Sequence, residues 1–242
     1  MLRTNRPWGN PSSLSFFKEH RNSVEEAYPS ELHFLEKVVP QVQSVLDVGC
    51  AAGGLYPVFK KYNPRLHYEG ADVIPEMIEN ARKKFPRLSF HLVGGAALPF
   101  EDNSREMVFS SGLFHLIDHY EAYLQDLYRV ARRFLLVDFR VHSEATRCSE
   151  MWVAFGGVER KEELKVPYYV LNMGDYLRML TRLKPSPGKI DIYGYPGKVS
   201  ANTKENIPDV LFLFANIEKG AGRTAWPEIS LHITPKPQGG VG

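Results

Sequence analysis

The stretch that decides the fold is LDVGCAAGG, residues 46–54. A short apolar run ends at Asp47, and the chain then turns through glycine and alanine toward an amphipathic segment. Small residues let the backbone come close to a ligand, and a helix N-terminus presents free N–H groups to it. Asp72 ends the next apolar run, 23 positions after Gly49, where an acidic residue can hydrogen-bond the hydroxyls of a ribose. The pattern therefore predicts a nucleoside-binding turn between a strand and a helix.

Short apolar runs and amphipathic helical segments alternate on either side of this turn. Continuous apolar runs are typical of parallel strands that are buried on both faces. We predict an α/β fold, with a doubly wound, mostly parallel, seven-stranded sheet and helices on both faces. The predicted strands are residues 44–50, 66–73, 88–94, 106–112, 133–141, 189–195 and 209–219.

The composition excludes several classes of protein. The 242 residues carry 30 Lys and Arg against 28 Asp and Glu, and a net charge of +2 disfavours a nucleic-acid binder. No apolar run is long enough to cross a membrane, and no apolar run follows the first arginines as in a signal peptide. The two cysteines lie far apart and form no metal-binding pattern. We expect a cytoplasmic protein with no metal and no membrane partner.

The turn also discriminates between nucleotides. The dinucleotide motif G-x-G-x-x-G has only Gly49-Cys50-Ala51 as its counterpart, and the ATP-binding pattern G-x-x-x-x-G-K-[ST] is absent. Asp47 would repel a pyrophosphate, whereas it suits a cationic ammonium group. These residues disfavour NAD, ATP and GTP as the ligand of the turn.

From about Ser44 to Val141 the sequence resembles the class I S-adenosylmethionine-dependent methyltransferases. The segment LDVGCAAGG is similar to their first motif and GADVIPEMIENARKKF to their second. The segment VGGAALPFEDNSREMVFSSGLFHLID is similar to their third and fourth motifs. The resemblance implies a Rossmann-like methyltransferase fold with S-adenosylmethionine as cofactor.

The resemblance also implies roles for individual residues. Asp47 and the turn would hold the methionine end of the cofactor, Asp72 would bind both ribose hydroxyls, and Val73 would flank the adenine. The second glycine of the usual turn is Ala51 here, which is compatible with the family if its φ is negative. The implied cofactor-binding residues are Asp47, Gly49, Ala51, Gly53, Asp72, Val73, Gly95, Ala96, Ser110 and Ser111.

Two candidate catalytic residues follow the fourth and fifth predicted strands. His115 leaves the fourth strand just after the expected sulfonium site and could act as a base. The alternative is a loop histidine that is hydrogen-bonded and chemically idle. Asp138 shares a face of the fifth strand with Arg140. The pair either faces substrate or forms a simple ion pair at the rim.

Two segments interrupt the alternation, namely an N-terminal arm (residues 1–30) and an insertion after the fifth strand (residues 142–170). Both could form lids or substrate walls, or they could be a packing arm and a surface insertion. We predict a methyltransferase domain over residues 31–242 that acts on a small molecule. Oxygen, nitrogen and carbon acceptors are all compatible with these residues. The alternatives are a silent cofactor-binding scaffold or sensor and, less favoured, an NAD-dependent oxidoreductase.

Overall fold

The computed structural model describes residues 6–94, 97–220 and 226–235. Within these ranges ten strands form the sheet system of the protein. The strands are β1 (Ser44–Val48), β2 (His67–Asp72), β3 (Ser89–Leu92), β4 (Arg105–Ser110), β5 (Ala131–His142), β6 (Arg147–Trp152), β7 (Lys165–Asn172), β8 (Pro187–Gly197), β9 (Val210–Lys219) and β10 (Glu228–Ile233).

The strand order is β10-β8-β9-β5-β4-β1-β2-β3. The strands β1 to β5 pair in parallel, whereas β9 runs antiparallel to both of its neighbours. The chain changes direction across the sheet next to β1, since β2 pairs with one edge of β1 and β4 with the other. Ligands bind outside the carboxyl ends of the strands at such a switch point.

The described part of the chain contains six α-helices, and their starts follow from the sequence. Proline occupies the first turn of α1 to α4, where its missing N–H costs nothing. Side-chain oxygens of Asn10 and Asn172 cap the first N–H groups of α1 and α6. The helices are α1 (Pro11–Glu19), α2 (Pro29–Val38), α3 (Tyr56–Tyr62), α4 (Pro75–Lys84), α5 (Tyr120–Val130) and α6 (Met173–Thr181).

The sheet has a hydrophobic core on each face. On one face α5 and α6 pack against the sheet, and on the other α2, α3 and α4 do so. Neighbouring residues of β1 lie in opposite cores. Leu46 packs in the core on the side of α5 and α6, and Val45 in the core on the side of α2, α3 and α4. The predicted doubly wound α/β fold is confirmed.

The predicted number of seven strands is wrong. All seven predicted strands form, and β6, β7 and β10 are added to them. β6 pairs only with β7, within the predicted insertion, and its RCSEMW sequence has no continuous apolar run. β10 lies at the edge of the sheet and exposes Ile229, Leu231 and Ile233. β6 and β10 thus lack the continuous apolar pattern on which the prediction depended, whereas β7 alternates buried and half-buried residues and contains Pro167.

Candidate functional site

The turn after β1 is built from residues with positive φ. Gly49 has a φ of 80° and Gly53 one of 72°, which glycine adopts at little cost. The N–H groups of Gly49 and Cys50 both donate to the carbonyl of Ala71, at 2.8 and 3.1 Å, and so fasten the turn to the end of β2. The turn and the end of β2 therefore form one wall.

Ala51 departs from the sequence-based condition that its φ is negative. Its φ is 46°, in the left-handed region that costs a residue with a Cβ about 1–2 kcal/mol. In this conformation its N–H donates to Asp72 Oδ2 at 2.9 Å. A charge-assisted hydrogen bond of this kind offsets the backbone strain.

Asp72 is half-buried at the end of β2. Its Oδ1 accepts from the N–H of Ile74 at 2.9 Å, while Oδ2 accepts from Ala51. Burial raises the pKa of Asp72, and the backbone N–H groups that it accepts from oppose the shift. Each carboxylate oxygen has a second lone pair for a ligand. The side chain is thus held in one orientation with accepting capacity left over.

Asp47 lies behind this wall. Only 2% of its surface is exposed, and it is not among the residues that line the cavity described below. The hydroxyl of Tyr68 donates to its Oδ2 at 2.7 Å. Burial raises the pKa of Asp47 to about 7. The structure therefore places a carboxylate with a near-neutral pKa beneath the turn.

A cavity of about 880 Å³ opens along the turn and the end of β2. This volume lies within the range of small-molecule sites. Six of the predicted site residues line it, namely Gly49, Ala51, Asp72, Val73, Ser111 and His115. Four others do not, namely Asp47, Gly53, Ser110 and Asp138. Gly95 and Ala96 lie outside the described residues.

Glu31 is a site residue that the sequence analysis missed. It is fully buried on α2, and its Oε2 accepts from the N–H of Tyr28 at 2.7 Å. Its Oε1 accepts from the guanidinium of Arg21 at 2.5 Å and from the hydroxyl of Ser111. Arg21 and Ser111 both line the cavity. Glu31 thus ties the N-terminal arm to the end of β4. The available sequence signal was a glutamate in the first turn of a helix that begins at Pro29, where its side chain can reach back to the N–H of the preceding residue.

His115 lies in the short helical turn after β4 and is buried. Its ring stands edge-on to that of Tyr168, with 5.0 Å between centroids. Its Nδ1 is buried without a hydrogen-bond partner in the described chain. Burial, and then the charge of Arg140, hold the pKa of His115 well below its usual value. The imidazole is therefore neutral at neutral pH.

Asp138 and Arg140 form a buried ion pair on β5, with 2.6 Å between Asp138 Oδ2 and the Arg140 guanidinium. Asp138 Oδ1 also accepts from the N–H of Gly112 at 2.6 Å. The guanidinium carbon of Arg140 lies 3.8 Å from the ring centroid of Phe212. Arg140 lines the cavity and Asp138 does not, so the carboxylate acts by positioning the arginine.

The N-terminal arm and the β6–β7 hairpin meet over the cavity. Asn10 Nδ2 donates to the carbonyl of Val153 at 3.0 Å, and the N–H of Phe155 donates to Ser12 Oγ at 3.3 Å. The rings of Phe16 and Phe155 stack with 4.4 Å between centroids. Residues of both segments line the cavity. The two segments together therefore cover one side of it.

Within residues 6–94, 97–220 and 226–235, no group of three or more histidine, cysteine, aspartate or glutamate side chains could hold a metal ion. Over the same ranges, no helix has the length and apolar character to cross a membrane. Both cysteines are free thiols, Cys50 buried and Cys148 exposed.

Comparison with known proteins agrees with this geometry. Residues 45–133 match a family model described as a methyltransferase domain. An uncharacterized methyltransferase-like protein of Schizosaccharomyces pombe is 30% identical over 97 residues, which are 40% of this chain and 37% of that protein. A ubiquinone/menaquinone biosynthesis C-methyltransferase of Desulfotalea psychrophila is 28% identical over 95 residues, 38% of this chain and 39% of that protein. The chain thus matches less than half the length of these relatives.

A solved structure extends the similarity beyond the matched segment. A Thermotoga maritima S-adenosylmethionine-dependent methyltransferase, described as a possible histamine N-methyltransferase, superposes with a TM-score of 0.55 at 17% identity. The match covers 91% of this chain and 100% of that one. At this identity the likeness shows the fold alone. The fold and the turn agree with the methyltransferase-domain match over residues 45–133, and in that segment the chain is similar to known methyltransferases.

Proposed function

We propose that the protein transfers the methyl group of S-adenosylmethionine to a small-molecule acceptor by in-line displacement. The observation that carries this proposal is the cavity of about 880 Å³ that reaches from the glycine turn and Asp72 to His115 and Arg140. One cavity can therefore hold the cofactor and an acceptor side by side. The contacts over the cavity between the arm and the β6–β7 hairpin favour a small acceptor.

The residues present fit the cofactor. Asp72 has lone pairs left for two ribose hydroxyls and lines the cavity with Val73. Gly49 and Ala51 bring backbone to the cavity surface. Asp47 does not line the cavity. It would attract the ammonium group of the cofactor electrostatically from beneath the turn, without direct contact. Ser111 and Arg21 offer a hydroxyl and a guanidinium on the same wall.

When bound, S-adenosylmethionine supplies a methyl group that is already activated by its sulfonium. The protein then needs to hold the acceptor atom in line with the methyl–sulfur bond, and positioning alone can supply several kcal/mol, up to about 7–11 in ideal cases. The acceptor would gain the methyl group as the carbon–sulfur bond breaks, and the electron pair of that bond would stay on sulfur. A hydroxyl acceptor also loses a proton. Burial and the charge of Arg140 lower the pKa of His115 and make it a weak base, so we assign it the role of orienting the acceptor by a hydrogen bond. Asp138 holds Arg140 against the same cavity.

The division into an arm (1–30) and a domain (31–242), with residues 142–170 as a substrate-side insertion, belongs to the same proposal. It is supported by the residues of the arm and the hairpin that line the cavity. A cytoplasmic location and the absence of a nucleic-acid partner stay predictions from the sequence.

The test is calorimetric titration of the chain with S-adenosylmethionine, S-adenosylhomocysteine and NAD. We expect micromolar binding of both sulfur compounds and none of NAD. The Asp72→Ala variant should weaken binding by at least about 100-fold, because two hydrogen bonds to a charged group contribute about 1.5–3 kcal/mol each and the Ala51 anchor is lost as well. Unchanged affinity of this variant would overturn the assignment. Asp209→Asn, at an exposed aspartate, is the control and should bind as the parent does.

A further inference from the structure

Aromatic side chains dominate the part of the cavity that lies beyond the glycine turn. They come from the arm, the hairpin and β9, which are far apart in the sequence. The rings of Trp8, Phe16 and Phe17 lie 6.5, 4.4 and 5.8 Å from that of Phe155, measured between centroids. Tyr168 and Phe212 line the cavity as well. Such a wall suits a flat, apolar ligand, because aromatic pairs add to the gain from burial alone.

Positive charge is the second feature of this part of the cavity. The Arg140 guanidinium lies against Phe212, and its Nε is buried without a hydrogen-bond partner among the described residues. Lys198, which follows β8, lines the cavity and is exposed. No ion pair or hydrogen bond joins the Lys198 ammonium to any described residue.

Asp138 compensates the charge of Arg140 from behind the cavity wall, whereas no carboxylate among the described lining residues pairs with Lys198. Glu26 and Asp72 are the acidic side chains that line the described cavity. Glu26 accepts from the N–H of Asn22 at 2.8 Å and contacts His20, while Asp72 is held at the turn. The ammonium group of Lys198 is therefore available to pair with a negatively charged group of a ligand.

We infer that the methyl acceptor is an aromatic compound that carries an anionic group, its ring against Phe155 and its neighbours and its charge toward Arg140 and Lys198. This inference rests on the proposed function, since it names the substrate class of the same cavity. His115, beside Arg140, lines the same cavity and can hydrogen-bond a hydroxyl on the ring. A cationic acceptor would be repelled by Arg140, because both carboxylate oxygens of the neighbouring Asp138 already accept hydrogen bonds.

Three probes separate the two halves of the inference. The compound 2-naphthoate has both the ring and the charge, 2-naphthamide has only the ring, and cyclohexanecarboxylate has only the charge. Binding is measured by calorimetry and ligand-observed NMR on the full chain saturated with S-adenosylhomocysteine. We expect 2-naphthoate to bind about tenfold or more tightly than either of the others, since a hydrogen bond to a charged group is among the stronger ones.

Variants assign the contacts. Lys198→Gln should weaken 2-naphthoate about twofold to fivefold, as for an exposed charge pair, and leave 2-naphthamide unchanged. Phe155→Leu should weaken both aromatic probes and leave cyclohexanecarboxylate unchanged. The matched control is Lys83→Gln, at an exposed lysine of α4, which should bind all three as the parent does.

The outcomes are distinct. Binding of S-adenosylhomocysteine without a preference for 2-naphthoate overturns this inference and leaves the proposed function standing. Failure to bind S-adenosylhomocysteine overturns the proposed function and the acceptor class with it. A preference for 2-naphthoate that Lys198→Gln reduces and Lys83→Gln does not supports the inference.

Discussion

The two sides of the cavity are held together over very different distances along the chain. On the cofactor side, defined as residues 47–54 and 72–74, the turn is anchored by Ala51 and Asp72, which are 21 residues apart. On the acceptor side, formed by the arm, the β6–β7 hairpin and the ends of β8 and β9, Asn10 bonds Val153 across 143 residues. The cofactor side therefore forms within one β–α–β unit, whereas the acceptor side needs the whole fold. Loops and termini of this kind can diversify while the scaffold is kept.

Glu31 lies at the boundary between the two sides, and its removal should have the largest effect. Glu31→Ala leaves Arg21, Ser111 and the N–H of Tyr28 without their acceptor, and removing one partner of a buried pair costs about 3–5 kcal/mol. The loss is measured as the free energy of unfolding in denaturant. If the variant does not fold, Glu31→Gln keeps the volume and one accepting oxygen and should lose less.

The control for this experiment is Glu36→Ala on the exposed face of the same helix. It should change the free energy of unfolding by no more than about 0.5 kcal/mol. Equal losses of unfolding free energy at the two positions would show that any alanine substitution in α2 has this effect, and that the contacts of Glu31 are not its cause. A small loss of unfolding free energy for Glu31→Ala would show that the contacts of Glu31 between the two sides of the cavity contribute little to stability.

The separation along the chain between contacting residues also explains which features could be predicted from the sequence. The seven principal strands, the turn and Asp72 followed from local patterns of apolar runs and small residues. Glu31 has a local signal as a capping residue, but its contacts with Ser111 and Arg21 depend on tertiary packing. The strand β6 was missed because its sequence has no continuous apolar run, and β7 because Pro167 interrupts an otherwise apolar segment. The φ of Ala51 does not meet the condition of a negative value that the sequence analysis set for this position, and the left-handed conformation accompanies its hydrogen bond to Asp72.

Asp47 gives the cofactor side a distinctive pH dependence. Burial raises its pKa from 3.8 to about 7 in the folded state, so the folded protein binds more protons than the unfolded chain between these values. Stability from this group is therefore highest below about pH 4 and is lost as the pH rises toward 7. Asp47→Asn should remove this loss, which amounts to about 4 kcal/mol.

The measurement is the difference in unfolding free energy between parent and variant at a series of pH values, which cancels the titration of other groups. The difference should grow in favour of Asp47→Asn from pH 4 to 7 and stay level above it. The exposed control Asp209→Asn should give a flat difference. A flat difference for Asp47→Asn would mean that Asp47 is solvated, contrary to its burial behind the turn.

The smallest expected effect concerns the strain at Ala51. Ala51→Gly relieves about 1–2 kcal/mol of left-handed strain and costs about 0.5–1 kcal/mol in chain entropy, so the free energy of unfolding should rise by up to about 1 kcal/mol. The neighbouring Ala52 is buried and not in the left-handed region, so Ala52→Gly should lower it by about 1 kcal/mol. Opposite signs at adjacent alanines would show that the local pairing of Ala51 with Asp72 imposes the conformation. A lower free energy of unfolding at both positions would show that Ala51 is not strained in the protein without cofactor. The conformation of the turn would then depend on contacts outside the cofactor side, as that of the acceptor side does.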